Sequence, residues 1–235
     1  MRDSFYRRHG KRCLDVLLAG CALIALAPIL VLTALCVRVF LGAPVLFRQE
    51  RTGFKGRRFT ILKFRTMTNE RDAAGVLLPD SQRLNWFGRW LRRSSLDELP
   101  EFWNVLKGDM SLVGPRPLLP RYDAHYSERE KRRFDVLPGI TGWAQINGRN
   151  DLPWDDRLEC DVWYVASCSL ALDFKILCRT VVKVVRRDNI QADPGQTFGA
   201  LDEERMERNA ICRQPLSPAG AGLALASTAS AETGE

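Results

Sequence analysis

Seven cysteines occur in this chain without a CxxC pair or any other metal-like cluster, and the count is odd. A cysteine-held metal centre is excluded. The pattern, with Cys21 and Cys36 inside the longest apolar run, reads as reduced thiols in a cytoplasmic setting. No segment repeats another, and no nucleic-acid-binding motif accompanies the basic charge. Acidic residues are outnumbered, 28 against 35 Lys plus Arg, giving a net charge of +7 over 235 residues. That length suits one domain with an anchor and a tail. The charge favours anionic partners: lipid head groups, nucleic acid or phosphorylated substrates.

Charge is also missing locally. Val16 to Val37 holds no charged residue and is bounded by Asp15 and Arg38. As one helix it spans roughly 33 Å, enough to cross a bilayer. Pro28 interrupts it, because proline cannot donate to the Ile24 carbonyl, and a kink is expected there. Basic residues flank both sides: Arg2, Arg7, Arg8, Lys11 and Arg12 before, then Arg38, Arg48, Arg51, Lys55, Arg57 and Arg58 after. The positive-inside rule therefore gives no orientation, and crossing and re-entrant forms both stay open. Cleavage after Ala25-Leu26-Ala27 would leave Pro28 as the first residue with the apolar run continuing, so the segment is expected to be retained.

Further along, Val45-Leu46-Phe47 and Arg58 to Phe64 are β-prone runs joined by the turn-rich Thr52 to Gly56, which predicts a hairpin. Arg83 to Arg93 reads as a basic amphipathic helix with Leu84, Phe87, Trp90 and Leu91 on one side. Leu99 to Leu106 reads as a second helix, ended by Lys107 and Gly108. Ser127 to Asp135 reads as a charged surface helix, and Pro138 to Gly142 with Asn147-Gly148 as glycine-rich loops. Leu170 to Val185 has helical spacing of Leu170, Phe174, Leu177, Val181 and Val184. Lys175, Arg179 and Lys183 lie on a neighbouring face, a pattern shared by membrane-surface helices and ordinary packed ones. Pro215 to Glu235 has the composition of a disordered tail.

The densest chemistry lies in Ser95-Leu96-Asp97-Glu98-Leu99-Pro100 and in Gly114-Pro115-Arg116-Pro117. One reading of Ser95-x-x-Glu98 is a capping box, with Asp97 only favouring the helix dipole. Pro100 counts against it, because a helix starting at Leu96 needs the amide that proline lacks. A helix starting nearer Pro100 leaves Asp97 and Glu98 at its mouth. There one carboxylate can attack phosphorus while its neighbour holds Mg²⁺, provided fixed cations offset the phosphate charge. Arg92, Arg93 and Arg116 are the candidate cations.

These motifs, in this order, resemble the bacterial sugar transferases that act as monotopic polyprenyl-phosphate phosphoglycosyl transferases. The resemblance runs from Lys11-Arg12-x-x-Asp15 to about Val185 and includes Phe47 to Gly53, Lys63 to Met67, Asn104 to Ser111, Pro138 to Gly142 and Asp161 to Tyr164. Glu70 to Gly75 and Asn147 to Asn150 look like the branch that starts lipid-linked oligosaccharides for protein glycosylation. The resemblance implies an α+β, mostly helical fold. A re-entrant membrane helix broken at Pro28 would occupy residues 1–41. A membrane-surface catalytic domain with a small hairpin and amphipathic helices would occupy 42–193, and a poorly ordered tail 194–235. It implies that Asp97 attacks the β-phosphate of a UDP-sugar and releases UMP, and that Glu98 binds Mg²⁺. Undecaprenyl phosphate then takes the sugar phosphate. Lys63, Arg92, Arg116, Arg149 and Asp161 fall on active-site or substrate-binding positions. The expected setting is the cytoplasmic face of the inner membrane, among its lipids and downstream glycosyltransferases, without nucleic acid. Two departures stand out: Ala27 replaces a frequent Ser before the proline, and Glu101 replaces the usual Gln after the acidic pair. The competing classes are a membrane-anchored nucleic-acid binder, suggested by the charge, and a non-catalytic assembly protein, which an intact Asp97-Glu98 pair and Arg116 disfavour.

Overall fold

A computed structural model of the chain describes residues 5–148, 152–186 and 200–213. The apolar run forms two helices, α1 (Lys11–Ala25) and α2 (Ala27–Phe40), bent by 63°. Leu26 leaves the helical region at φ −92°, ψ 2°, and Pro28 stands in the first turn of α2. At that position its missing N–H leaves no bond unmade, so the proline starts a helix instead of straining one. Among the described residues no single helix is long and apolar enough to cross a membrane, but the bent pair together has the required length and composition.

The polar start of α1 is tied down. Arg12 donates to the Val105 and Leu106 carbonyls at 2.6 and 3.0 Å, and Asp15 accepts from Leu112 N at 3.0 Å. Lys11 and Tyr6 both reach Asp173, at 2.5 and 2.6 Å. Later residues of the pair, among them Ile24, Val31, Leu32, Leu35 and Val39, are exposed.

The expected hairpin forms from β1 (Leu46–Thr52) and β2 (Arg58–Phe64), antiparallel with Phe47 opposite Lys63. The helix expected over Arg83–Arg93 is split into α3 (Asp80–Arg83) and α4 (Trp86–Arg93). Asn85 makes the break, its side chain accepting from Gly88 N at 2.9 Å as an N-cap. Leu84, Phe87 and Leu91 are buried as expected, whereas Trp90 is half exposed. Helix α5 (Glu101–Lys107) ends at Gly108, whose left-handed φ of 93° favours glycine.

Two short strands went unread in the sequence. β3 (Ser111–Val113) pairs in parallel with β4 (Gly139–Thr141). A Cβ on Gly139 would lie 2.1 Å from Gly114 N, so the pair closes only because both backbones are bare. The charged segment Ser127–Asp135 holds a 3₁₀ turn over Glu130–Asp135, not a surface helix, and Arg133 within it is buried. Short α6 (Trp143–Asn147), α7 (Trp154–Ser167) and α8 (Leu170–Arg186) complete this unit. Its core joins Ala19, Ile61, Val105, Met110, Val113, Tyr164 and Ile176. On α8 the buried residues are Asp173 and Ile176, while Leu170, Phe174, Val181 and Val185 face outward. In the region expected to be poorly ordered, a separate unit holds α9 (Leu201–Arg213). Asp202, Glu203 and Glu204 favour its first turn through the helix dipole, a signal that the composition of the tail concealed.

Candidate active site

Ser95 adopts the left-handed conformation (φ 55°) and makes no side-chain cap bond, so the capping-box reading does not hold. The chain then makes a 3₁₀ turn, Leu96–Glu98, and α5 begins after Pro100. The acidic pair is thus held at the mouth of a helix. Asn104 fixes that mouth against the hairpin, accepting from Leu62 N at 3.0 Å and donating to the Thr60 carbonyl at 2.8 Å. This brings Lys63 of β2 onto the acids. Arg116, held between Pro115 and Pro117 after β3, approaches from the other side.

Glu98 Oε1 receives Lys63 Nζ at 2.6 Å and Arg116 Nη2 at 2.7 Å. Lys63 Nζ also lies 3.0 Å from Glu101 Oε1, near enough for an ion pair but out of line for a hydrogen bond. Glu101 is 1% exposed. Burial opposes the charge on Glu98, yet Arg116 and Lys63 together hold its carboxyl well below the usual carboxylate range. Asp97 makes no such ion pair among the described residues, and the charges of Lys63 and Arg92 offset only part of its surroundings. Burial, then the charge of Glu98, pushes its carboxyl up to about 7. Among the described residues no donor is hydrogen-bonded to Asp97. Two adjacent carboxylates therefore differ: one is neutralised by cations, the other lacks a partner.

Both face a cavity of about 670 Å³, large enough for a nucleotide-sized ligand. Lys63, Arg92, Asp97, Glu98, Arg116 and Asp161 all line it, so the structure brings these predicted residues together. Arg92 donates from Nε to Thr66 Oγ1 at 3.0 Å. Arg149 lies outside the described residues. Arg93 is exposed and does not line the cavity. Arg51, Arg83, Arg133, Arg157 and Gln145 also line it and were not singled out in the sequence. For Arg51 a signal existed, since it stands inside the Phe47–Gly53 motif. For Arg133 none did, because it looks like a surface charge on a helix, whereas Glu101 stood out in the sequence only as a departure from the usual Gln.

The donor set bears on a metal. Among the described residues no three His, Cys, Asp or Glu side chains cluster. Mg²⁺ at phosphate sites is typically held by one or two carboxylates, with substrate oxygens and water completing the shell. Asp97 and Glu98 fit that pattern.

The chain matches the family model described as Bacterial sugar transferase over residues 6–187. It is 54% identical over 181 residues to an uncharacterized sugar transferase, EpsL, of Bacillus subtilis (strain 168), covering 77% of this chain and 90% of that protein. It is 42% identical over 189 residues to the undecaprenyl-phosphate glucose phosphotransferase of Komagataeibacter xylinus, covering 74% of this chain but only 36% of that protein. It is 41% identical over 189 residues to the UDP-glucose:undecaprenyl-phosphate glucose-1-phosphate transferase of Caulobacter vibrioides (strain ATCC 19089 / CIP 103742 / CB 15), covering 76% of this chain and 71% of that protein.

Proposed function

The chain belongs to the bacterial sugar transferase family, and we propose that it moves a sugar 1-phosphate from a UDP-sugar to undecaprenyl phosphate, releasing UMP. The observation that carries this reading is the unequal acidic pair: Asp97 faces the cavity with no hydrogen-bond partner among the described residues, beside Glu98 locked by Lys63 and Arg116. An unpartnered carboxylate is available as a nucleophile, and fixed cations beside it offset the repulsion of phosphate oxygens.

In the first step an Asp97 oxygen attacks the β-phosphorus of the UDP-sugar. The bond from that phosphorus to the bridging oxygen breaks, and UMP leaves with the electron pair. The sugar phosphate is then an acyl phosphate on Asp97. In the second step an oxygen of undecaprenyl phosphate attacks the same phosphorus, the acyl phosphate bond breaks, and Asp97 returns as a carboxylate. Lys63, Arg92 and Arg116 orient the diphosphate and stabilise the charge that builds on its oxygens. A Mg²⁺ bound by Glu98 and Asp97 would neutralise further phosphate charge when present.

The setting proposed is the cytoplasmic face of a membrane, as the first membrane step of glycan assembly. The bent pair α1–α2 would enter the bilayer and return to the same face, placing exposed Ile24, Val31, Leu32, Leu35 and Val39 in lipid. This arrangement satisfies both basic flanks, which a crossing helix would not. The test is UMP release and a labelled sugar-phosphate adduct from a panel of UDP-sugars with undecaprenyl phosphate. UDP-glucose comes first because of the relatives' names, followed by UDP-galactose, a UDP-N-acetylhexosamine and UDP-diacetylbacillosamine. The expected result is UMP from at least one sugar and an adduct that chases into lipid; UMP release without any adduct would overturn the covalent step.

A further inference from the structure

Asp161 and Arg133 line the cavity, yet neither offers a surface to a ligand: they are 3% and 4% exposed. Asp161 Oδ2 accepts from Arg133 Nη2 at 2.9 Å and from Nε at 3.2 Å. The same Nη2 donates to the backbone carbonyl of Arg116 at 2.7 Å, and Nη1 donates to Tyr126 Oη at 3.3 Å. The Arg133 guanidinium also lies over the rings of Tyr126 and Phe134, at 5.5 and 5.6 Å from their centroids. Its fork is thus spent on the protein. The beneficiary is the residue between Pro115 and Pro117, whose own guanidinium holds Glu98 Oε1 at 2.7 Å.

From this geometry we infer that Asp161 is a positioning residue, not a substrate ligand. It acts through Arg133, which grips the Arg116 carbonyl and so sets where the Arg116 side chain meets Glu98 and the substrate phosphates. The inference deepens the transferase reading and rests on it for the role of Arg116. Two prolines fix the φ angles on either side of Arg116, and its carbonyl lies beyond the end of β3, where among the described residues no backbone N–H donates to it. Arg133 supplies the donor. Asp161 supplies the buried negative charge without which a buried guanidinium is costly. Besides Arg133, the charge of Arg157 on α7 also acts on Asp161, and Arg157 Nη2 donates to the Leu152 carbonyl at 3.2 Å.

A double-mutant cycle separates the two roles, read in UDP affinity by titration calorimetry and in UMP release. Alone, Asp161→Asn is expected to lower turnover about tenfold to a hundredfold, the usual cost of disturbing a supporting partner. Introduced on top of Arg116→Ala, it is expected to cost less than about twofold in either readout, because the side chain it positions is already gone. If the two losses instead multiply, Asp161 contacts substrate independently and the inference is overturned. UDP affinity keeps the cycle readable even if no UDP-sugar is turned over, an outcome that would count against the transferase reading alone. The variant Arg133→Met/Asp161→Leu guards against misfolding, because replacing both charges leaves neither unpaired in the interior. It is expected to melt near the wild type and still lose turnover and UDP affinity about tenfold. A folded double variant with full activity and affinity would show that the pair is only packing, and would also overturn the inference.

Discussion

The bent pair α1–α2 and the cavity region invert one another. In the first, large apolar side chains such as Leu17, Ile24, Leu32 and Val39 lie exposed; in the second, Glu101, Arg133 and Asp161 are buried. Either arrangement is unfavourable for a protein alone in water, since apolar surface is then hydrated and charge desolvated. The difference teaches where each region finds its compensation. The proposed role of lipid is to cover the apolar pair. The cavity region compensates internally, cation against carboxylate, and among the described residues it leaves Asp97 without a hydrogen-bond or ion-pair partner.

The comparison is sharpened most by the partnerless acid. Asp97→Asn keeps the shape and removes the proposed nucleophile, so turnover is expected to fall about a thousandfold or more with the fold intact. The check is UMP release together with mass spectrometry of the labelled adduct; a full-strength adduct in this variant would remove Asp97 from the nucleophile role. Glu98→Gln is the next largest. It removes the charge that Lys63 and Arg116 converge on, and about a hundredfold loss is expected. The loss should deepen as Mg²⁺ is lowered, and undiminished turnover at low Mg²⁺ would take Glu98 out of the metal site.

The apolar half is broken at Pro28. In a cysteine-free background, single cysteines at His9 and Arg57, both exposed in the fold, report the two flanks of the pair. If the pair re-enters, an impermeant thiol reagent labels neither in intact cells and both after lysis. Pro28→Leu restores the backbone N–H and is expected to join α1 to α2, shifting the His9 position toward labelling in intact cells. Should both stay protected with activity unchanged, the proline does not set the topology.

The sequence signalled these two regions unequally. The bend was legible because a proline inside an apolar run has few outcomes, and the hairpin because its turn residues separate two β-prone runs. Asp97 and Glu98 were legible because Pro100 forces the helix to begin after them. What was hidden depends on contacts far apart in the chain. Lys63 meets Glu101 only because Asn104 pins α5 to β2, and Arg133 turns inward only because Asp161 and the Arg116 carbonyl await it. Local pattern assigns such charges to the surface, since most charged residues lie there. The β3–β4 pair was hidden for another reason: strands of three residues carry no period, and the close approach at Gly114 and Gly139 is a property of both segments at once.

The smallest expected effect tests whether the cavity's internal compensation is complete. Glu101 is buried beside Lys63, and burial, reinforced by the charge of Glu98, raises its carboxyl to about 7 from an ordinary 4.5. A carboxyl raised in the folded state binds more protons there than in the unfolded chain. Its contribution is therefore whole below about pH 4.5 and is lost as pH rises through about 7. Asp97 is raised in the same direction, so some slope remains whatever happens at position 101. Glu101→Gln keeps an acceptor for Lys63 and the same volume while removing the ionisation. At pH 4 the variant and the wild type are expected to melt nearly together, the side chain being mostly neutral in both the folded and the unfolded chain there. At pH 8 the variant is expected to melt a few degrees higher, about 2–4 °C for each kcal/mol in a chain of this size. Thermal unfolding in metal-free buffer across pH 4 to 8 measures the difference. A variant that melts lower at pH 8 would mean that Lys63 needs the second negative charge, and that the cluster is balanced only with Glu101 ionised.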